Sequence, residues 1–108
     1  MEYLKHLFTF VMIILIAAVS FSCSSSTPDF TVTSSVDNNH SHKIIISGTD
    51  VDKPPDTKII TSDGANHTHT IKLVKQDYQS IKAGQEITLV SSSDGPVPHT
   101  HTFKIKKP

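Results

Sequence analysis

The stretch "NHTHTIKL", residues 66–73, decides how this chain is read. Two histidines flank one threonine, and an apolar run follows at once. Strand side chains alternate between faces. In an extended reading, His67, His69, Ile71 and Leu73 therefore form one row, and Thr68, Thr70, Lys72 and Val74 the other. The histidine row is the more apolar, so it predicts an inward face that carries two imidazoles at its start.

The same unit occurs three times. "FTVTSS-VDNN-HSHKIIIS", "TKIITS-DGAN-HTHTIKL" and "EITLVSS-SDGPVP-HTHTFKI" each give a β-branched strand, a turn, and a second strand opened by His-x-His. His40 precedes His67 by 27 residues and His67 precedes His99 by 32. In the first copy His40, His42, Ile44 and Ile46 share a face; in the third, His99, His101, Phe103 and Ile105 do. Asp37-Asn38-Asn39, Asp63-Gly64 and Asp94-Gly95 mark the turns, in loops expected to exceed two residues.

The expected fold is all-β: six antiparallel strands in three consecutive hairpins, forming a small barrel or sandwich over residues 30–108. The connector "GTDVDKPPD", residues 48–56, holds two prolines and cannot be a central strand. The connector at residues 75–85 predicts one short helical turn near 77–82, with Asp77 as N-cap and Gly84 past its end. Aligning Asp50-Val51 with Asp77-Tyr78 keeps the two connectors in step. Tyr78 and Ile81 are expected to cap the core at the connector end. All three turns then lie at one end of the domain, and all six histidines with them.

Six inward imidazoles need hydrogen-bond partners or a shared ion, because burying unpaired polar groups is costly. Two rings from one His-x-His can close on a cation at about 2.0–2.1 Å per nitrogen. A second pair would complete a four-nitrogen site; a third would give a six-nitrogen site or a second ion. His40, His42, His67, His69, His99 and His101 are the candidate ligands for a divalent metal ion, with Zn²⁺ or Cu²⁺ the expected species from imidazole chemistry. Asp37, Asp63 and Asp94 are candidates to orient the rings, although their role as turn formers already accounts for them. The plainer alternative is a structural or interaction protein whose histidines cap the core without metal. The copies differ in turn length and connector sequence, yet every histidine is retained, which favours the metal.

The chain has ten Lys and no Arg, balanced by ten acidic residues. A neutral chain without a basic stripe makes nucleic acid an unexpected partner. Residues 7–19 form an apolar run shorter than the roughly 20 residues of a spanning helix, which predicts a signal peptide over residues 1–22. The "VSFSC" ending at Cys23 resembles the processing site of bacterial lipoprotein precursors, with Ser22 fitting the pattern and Ser20 and Phe21 departing from it. The resemblance implies a lipidated Cys23, a flexible polar tether over residues 23–29, and export to an outer membrane, facing periplasm or cell surface. Ordinary signal cleavage and an uncleaved anchor are the alternatives. The layout from His67 to Phe103 also resembles short exported bacterial proteins with repeated HTHT motifs, a likeness that carries no activity.

Known His-x-His enzymes fit poorly. Metallo-β-lactamase-like hydrolases resemble the motif only in its first three positions, since Ile44, Ile71 and Phe103 stand where acidic or histidine ligands would follow. Carbonic anhydrases are similar in placing the pair on a strand, but belong to a much larger fold. Copper-zinc superoxide dismutases share the pair on a β-barrel, and their other ligands and disulfide are missing here. A small zinc hydrolase or hydratase is the third reading, behind the metal carrier and the metal-free structural protein.

Overall fold

A computed structural model of the chain describes residues 25–64 and 66–108; the signal-like segment and Cys23 lie outside the described residues. Six strands and two short helices follow in the order β1 (Phe30–Thr33), β2 (Lys43–Ile46), α1 (Gly48–Asp52), β3 (Thr57–Thr61), β4 (Thr70–Val74), α2 (Lys75–Lys82), β5 (Ile87–Val90) and β6 (Thr102–Ile105). The strands pair as three antiparallel hairpins, β1-β2, β3-β4 and β5-β6. Among the described residues these remain three two-stranded sheets and do not close a continuous barrel.

Equivalent positions pair in each hairpin. Val32 faces Ile44, Ile60 faces Ile71, and Leu89 faces Phe103. Burial alternates along each second strand, with Ile44 and Ile46, Ile71 and Leu73, and Phe103 and Ile105 turned inward. Lys43, Lys72 and Lys104 occupy the outer face. The inner rows of the three hairpins meet in one core, to which Phe30, Ile60, Ile87 and Leu89 add partial cover.

The connectors close the opposite end of that core. In α2, Tyr78 and Ile81 lie three apart on one face, and both are fully buried. Asp77 is the third residue of this helix, where its carboxylate accepts the Val74 amide at 2.9 Å. The N-cap position is therefore Val74, three residues before the expected Asp77. Gly84 adopts φ 82° just past the end, and Gln85 N–H donates to Ser80 O at 3.0 Å, an αL termination that Gly accepts at little cost. The first connector also forms a helix, α1, which the sequence reading marked only as non-strand. Val51 is its buried anchor, in step with Tyr78. Pro54 and Pro55 follow it and cannot extend it.

The N-terminal segment rests on α1. Thr27 donates twice to the Asp52 carboxylate, from N–H at 2.8 Å and from its hydroxyl at 2.7 Å. The Gly48 amide donates to Asp29 at 2.8 Å. A Cβ on Gly48 would lie 1.7 Å from the Thr27 carbonyl oxygen, so this crossing requires glycine. The chain thus comes in at the connector end, away from the turns.

Candidate metal centre

Each inner histidine sits one position before its strand, continuing the buried row: His42 before β2, His69 before β4, His101 before β6. A buried serine on the partner strand holds each one. Ser34, Ser62 and Ser91 donate their amides to the carbonyls of His42, His69 and His101 at 2.8, 2.7 and 2.8 Å. The histidine amides return a bond to the serine hydroxyl oxygens, each at 2.9 Å. Because the side chain takes the acceptor's place, the serine's own carbonyl is released from the ladder.

The residue after each serine crosses to a neighbouring hairpin. Ser35 exchanges bonds with Thr102, its N–H donating to Thr102 O at 2.8 Å and its hydroxyl accepting the Thr102 amide at 3.0 Å. Asp63 pairs with Lys43 through two main-chain bonds of 2.7 and 3.0 Å. Ser92 pairs with Thr70 at 2.8 and 2.9 Å. The first hairpin is thereby tied to the third, the second to the first, and the third to the second. Among the described residues, these main-chain bonds close the three hairpins into a ring at the turn end.

This ring also orients the inner imidazoles. Nδ1 of His101 donates to Ser35 O at 3.1 Å, His42 to Asp63 O at 3.2 Å, and His69 to Ser92 O at 2.9 Å. Each acceptor comes from a different hairpin than the ring it holds. The outer rings are set locally: His40 Nδ1 donates to Asn38 O at 3.0 Å and His99 Nδ1 to Val97 O at 2.6 Å. A proton committed at Nδ1 leaves the Nε2 lone pair bare, which is the arrangement a metal-ligating imidazole needs.

The six rings then converge. One ligand nitrogen from each of His40, His42, His67, His69, His99 and His101 lies within 4.8 Å of all the others. The outer nitrogens form a triangle, with Nε2 separations of 3.2 Å for His40–His67, 3.3 Å for His67–His99 and 3.1 Å for His99–His40. His101 Nε2 is 3.1 Å from that of His99 and 3.3 Å from that of His40. Beneath this triangle, Nε2 of His42 and His69 is buried with no hydrogen-bond partner among the described residues. Burial holds the His42 pKa below the usual imidazole value; the Asp63 carbonyl opposes that shift and the neighbouring imidazoles of His101, His69 and His67 reinforce it. His42 is therefore held in the neutral, ligating form.

The turns fit closely over the rings. Asn38 and Asn39, at φ 50° and 65°, make a two-residue turn between Asp37 and His40, tighter than the sequence implied. Gly95, at φ 109°, has the space of its missing Cβ only 3.1 Å from His67 Cδ2 and 3.2 Å from His99 Cε1. The outer histidines line a basin open to solvent, together with Asn38, Asn66 and Val97.

The three turn aspartates behave differently from one another. Asp63 contributes its main-chain carbonyl to His42. The Asp37 carboxylate accepts the Ser35 hydroxyl and lies 3.3 Å from His101 Nδ1. The Asp94 carboxylate accepts the Ser92 hydroxyl, and so reaches His69 only through Ser92. The serines at 34, 62 and 91 were given no role from sequence. Their signal was the Ser that closes the first strand of every copy, seven to ten residues before the inner histidine.

Comparison with protein-family models, with curated proteins and with solved structures finds no match. The function must therefore be argued from this geometry.

Proposed function

We propose that the chain is an exported, lipid-anchored protein that holds a divalent transition metal through its three His-x-His pairs. One observation supports this above the rest: six imidazole nitrogens converge within 4.8 Å of one another, while the Nδ1 atoms of His40, His42, His69, His99 and His101 are engaged by main-chain carbonyls. Lone pairs so opposed repel, and a buried acceptor left without a partner costs about 1–3 kcal/mol. A cation at the centre turns both penalties into ligand bonds. Imidazole chemistry admits Zn²⁺ and Cu²⁺ as well as other first-row ions. The role is to buffer, store, sense or hand over the ion.

The anchoring half of the reading draws on the VSFSC motif and on the direction of the chain. Thr27 meets the domain beside α1, near Lys53, Lys82 and Lys107. A lipid on Cys23 would hold that lysine-bearing end toward anionic headgroups and turn the histidine basin outward.

Elemental analysis of the purified chain tests the metal. About one ion per chain is expected, absent when His42 and His69 are both replaced by alanine in a variant that keeps its β-rich circular dichroism. A folded wild-type chain that takes up no ion from Zn²⁺, Cu²⁺, Ni²⁺ or Co²⁺ solutions would reject the reading. For the anchor, lipid labelling in a bacterial host should be lost in Cys23→Ser.

A further inference from the structure

The pattern of ring neighbours carries more than the presence of a site. Ring centroids 4.7–5.0 Å apart join every histidine to four of the others. The combinations left out at that range are His40 with His69, His42 with His99, and His67 with His101. This is the connectivity of an octahedron, in which each vertex shares an edge with four others and faces the fifth across the centre. The outer and inner triangles are its two opposite faces.

The distances agree. An octahedron with edges of 3.1–3.3 Å has diagonals of about 4.4–4.7 Å, within the 4.8 Å span of the six nitrogens. Half a diagonal, about 2.2–2.3 Å, is the implied metal–nitrogen length, longer than the roughly 2.0–2.1 Å of four-coordinate zinc. Six ligands crowd an ion more than four do, so the lengthening is in the expected direction. A cage this small with all six nitrogens on its wall has room for one ion, not two.

Resting on the metal-binding reading above, we infer that the site is a single six-coordinate, all-imidazole centre that selects ions with an octahedral preference, Ni²⁺ and Co²⁺ foremost and Fe²⁺ next, over Zn²⁺. Zn²⁺ has a filled d shell and gains nothing from octahedral geometry. Ni²⁺, Co²⁺ and Fe²⁺ do gain, in the general order of increasing affinity from Fe²⁺ to Ni²⁺. Cu²⁺ favours a tetragonal set, and the five Nε2 separations of 3.1–3.3 Å among His40, His67, His99 and His101 show no such elongation. Mn²⁺ stands lowest in the same order and suits oxygen ligands better. A centre saturated by six side chains has no position for water or substrate. The site is thereby built to keep or carry an ion rather than to run the metal-bound-water chemistry of a zinc hydrolase.

Cobalt is the probe. The full chain, without its signal, is titrated with Co²⁺ and its visible absorption recorded. The expected result is one Co²⁺ per chain with the weak bands of a six-coordinate ion. At equal concentrations, approached from both directions, Ni²⁺ is expected to displace Zn²⁺. Each of the six single His→Ala variants should weaken Co²⁺ binding by more than the roughly 10–100-fold typical of losing an orienting partner. Intense four-coordinate bands would overturn the inference while leaving metal binding intact. So would a folded single-histidine variant with unchanged affinity, or Zn²⁺ displacing Ni²⁺. Failure of Co²⁺, Ni²⁺, Zn²⁺ and Cu²⁺ alike to bind the folded chain would overturn both readings together.

Discussion

The two ends of this domain are built from the same three hairpins and solve opposite problems. At the connector end, α1 and α2 cover Ile46, Leu73 and Ile105 with Val51, Tyr78 and Ile81. Burial there is apolar and directionless. At the turn end the same inner rows run on into His42, His69 and His101, and every polar group must be aimed. The first end stores folding energy; the second is costly while its imidazole nitrogens oppose one another, a cost the proposed ion would relieve. Stability and ion affinity should therefore respond to different residues.

The sharpest way to break that division is a matched pair of truncations. Leu73→Ala removes a fully buried side chain at the connector end. It should cost about 2–5 kcal/mol of stability in denaturant melts, and leave ion affinity close to wild type in the fraction that remains folded. His69→Ala, four residues earlier, should do the reverse: ion binding lost, and the metal-free chain destabilised less than by Leu73→Ala. Equal losses of stability from both, with or without metal, would mean that the two ends are one cooperative core.

Gly95→Ala comes next. Its φ of 109° is unsuited to a side chain, and the added Cβ would press on His67 and His99. A cost of about 1–3 kcal/mol is expected from strain of this kind. Ion affinity should fall as well, because the outer triangle must spread. Gly84 has a positive φ with open space around it, so Gly84→Ala serves as the control: strain without displaced rings.

Ser91→Ala probes the hinge between strand and site. The Ser91 hydroxyl accepts the His101 amide and donates to Ser92 O, the carbonyl that holds His69. Its loss leaves a buried donor unpaired, at about 1–3 kcal/mol. Ion affinity should drop about 10–100-fold, the scale of losing a partner that orients a ligand. A stability loss without an affinity loss would make this serine a strand feature only.

Much of the site was legible because a strand has period two. Once "HTHTIKL" is extended, the placement of His67 and His69 on the row of Ile71 and Leu73 follows from the pleat alone, and the repeat carries it to the other copies. The turn-end clustering follows from hairpin order. What lay hidden depends on long-range closure. The carbonyls of Ser35, Asp63 and Ser92 orient rings that belong to other hairpins, and nothing local in the sequence says which hairpin is next to which. The helix α1 was hidden for a different reason: it is five residues long, Ser47 before it makes no side-chain cap, and its first amide is met by Asp29, a residue 19 positions away. The same closure explains why the three hairpins build an all-β domain without closing a continuous barrel among the described residues. The hairpins are joined by bridges at the turn end, while α1 and α2 occupy the connector end.

Acid should act at the turn end. His42 is held below the ordinary imidazole pKa by burial, so the unfolded chain takes up its proton more readily than the folded one. The contribution of neutral His42 to the metal-free fold is then fully present above about pH 6.5 and is lost as pH falls below it. Ion binding should weaken in the same direction, because the imidazole must be neutral to ligate. Metal titrations at two pH values, on either side of about 6, check this.

The connector end has its own titration, and it runs the other way. Tyr78 is fully buried, and its hydroxyl has no hydrogen-bond partner among the described residues. Burial, with Asp50 and Asp77 nearby, pushes its pKa up to about 12. The folded chain therefore resists losing this proton, and the unfolded chain gives it up near the ordinary value of about 10. Stability from this group is complete below pH 10 and is lost as pH rises toward 12. Tyr78→Phe removes both the unpaired hydroxyl and the titration. At neutral pH it should be neutral or stabilise by up to about 1 kcal/mol, since removing an unsatisfied buried group relieves its desolvation. Between pH 10 and 12 the variant should lose less stability than wild type while its Co²⁺ affinity at neutral pH stays the same. A clear loss of stability in Tyr78→Phe at neutral pH would show that the hydroxyl is paired after all, and that polar aim matters at both ends of the domain.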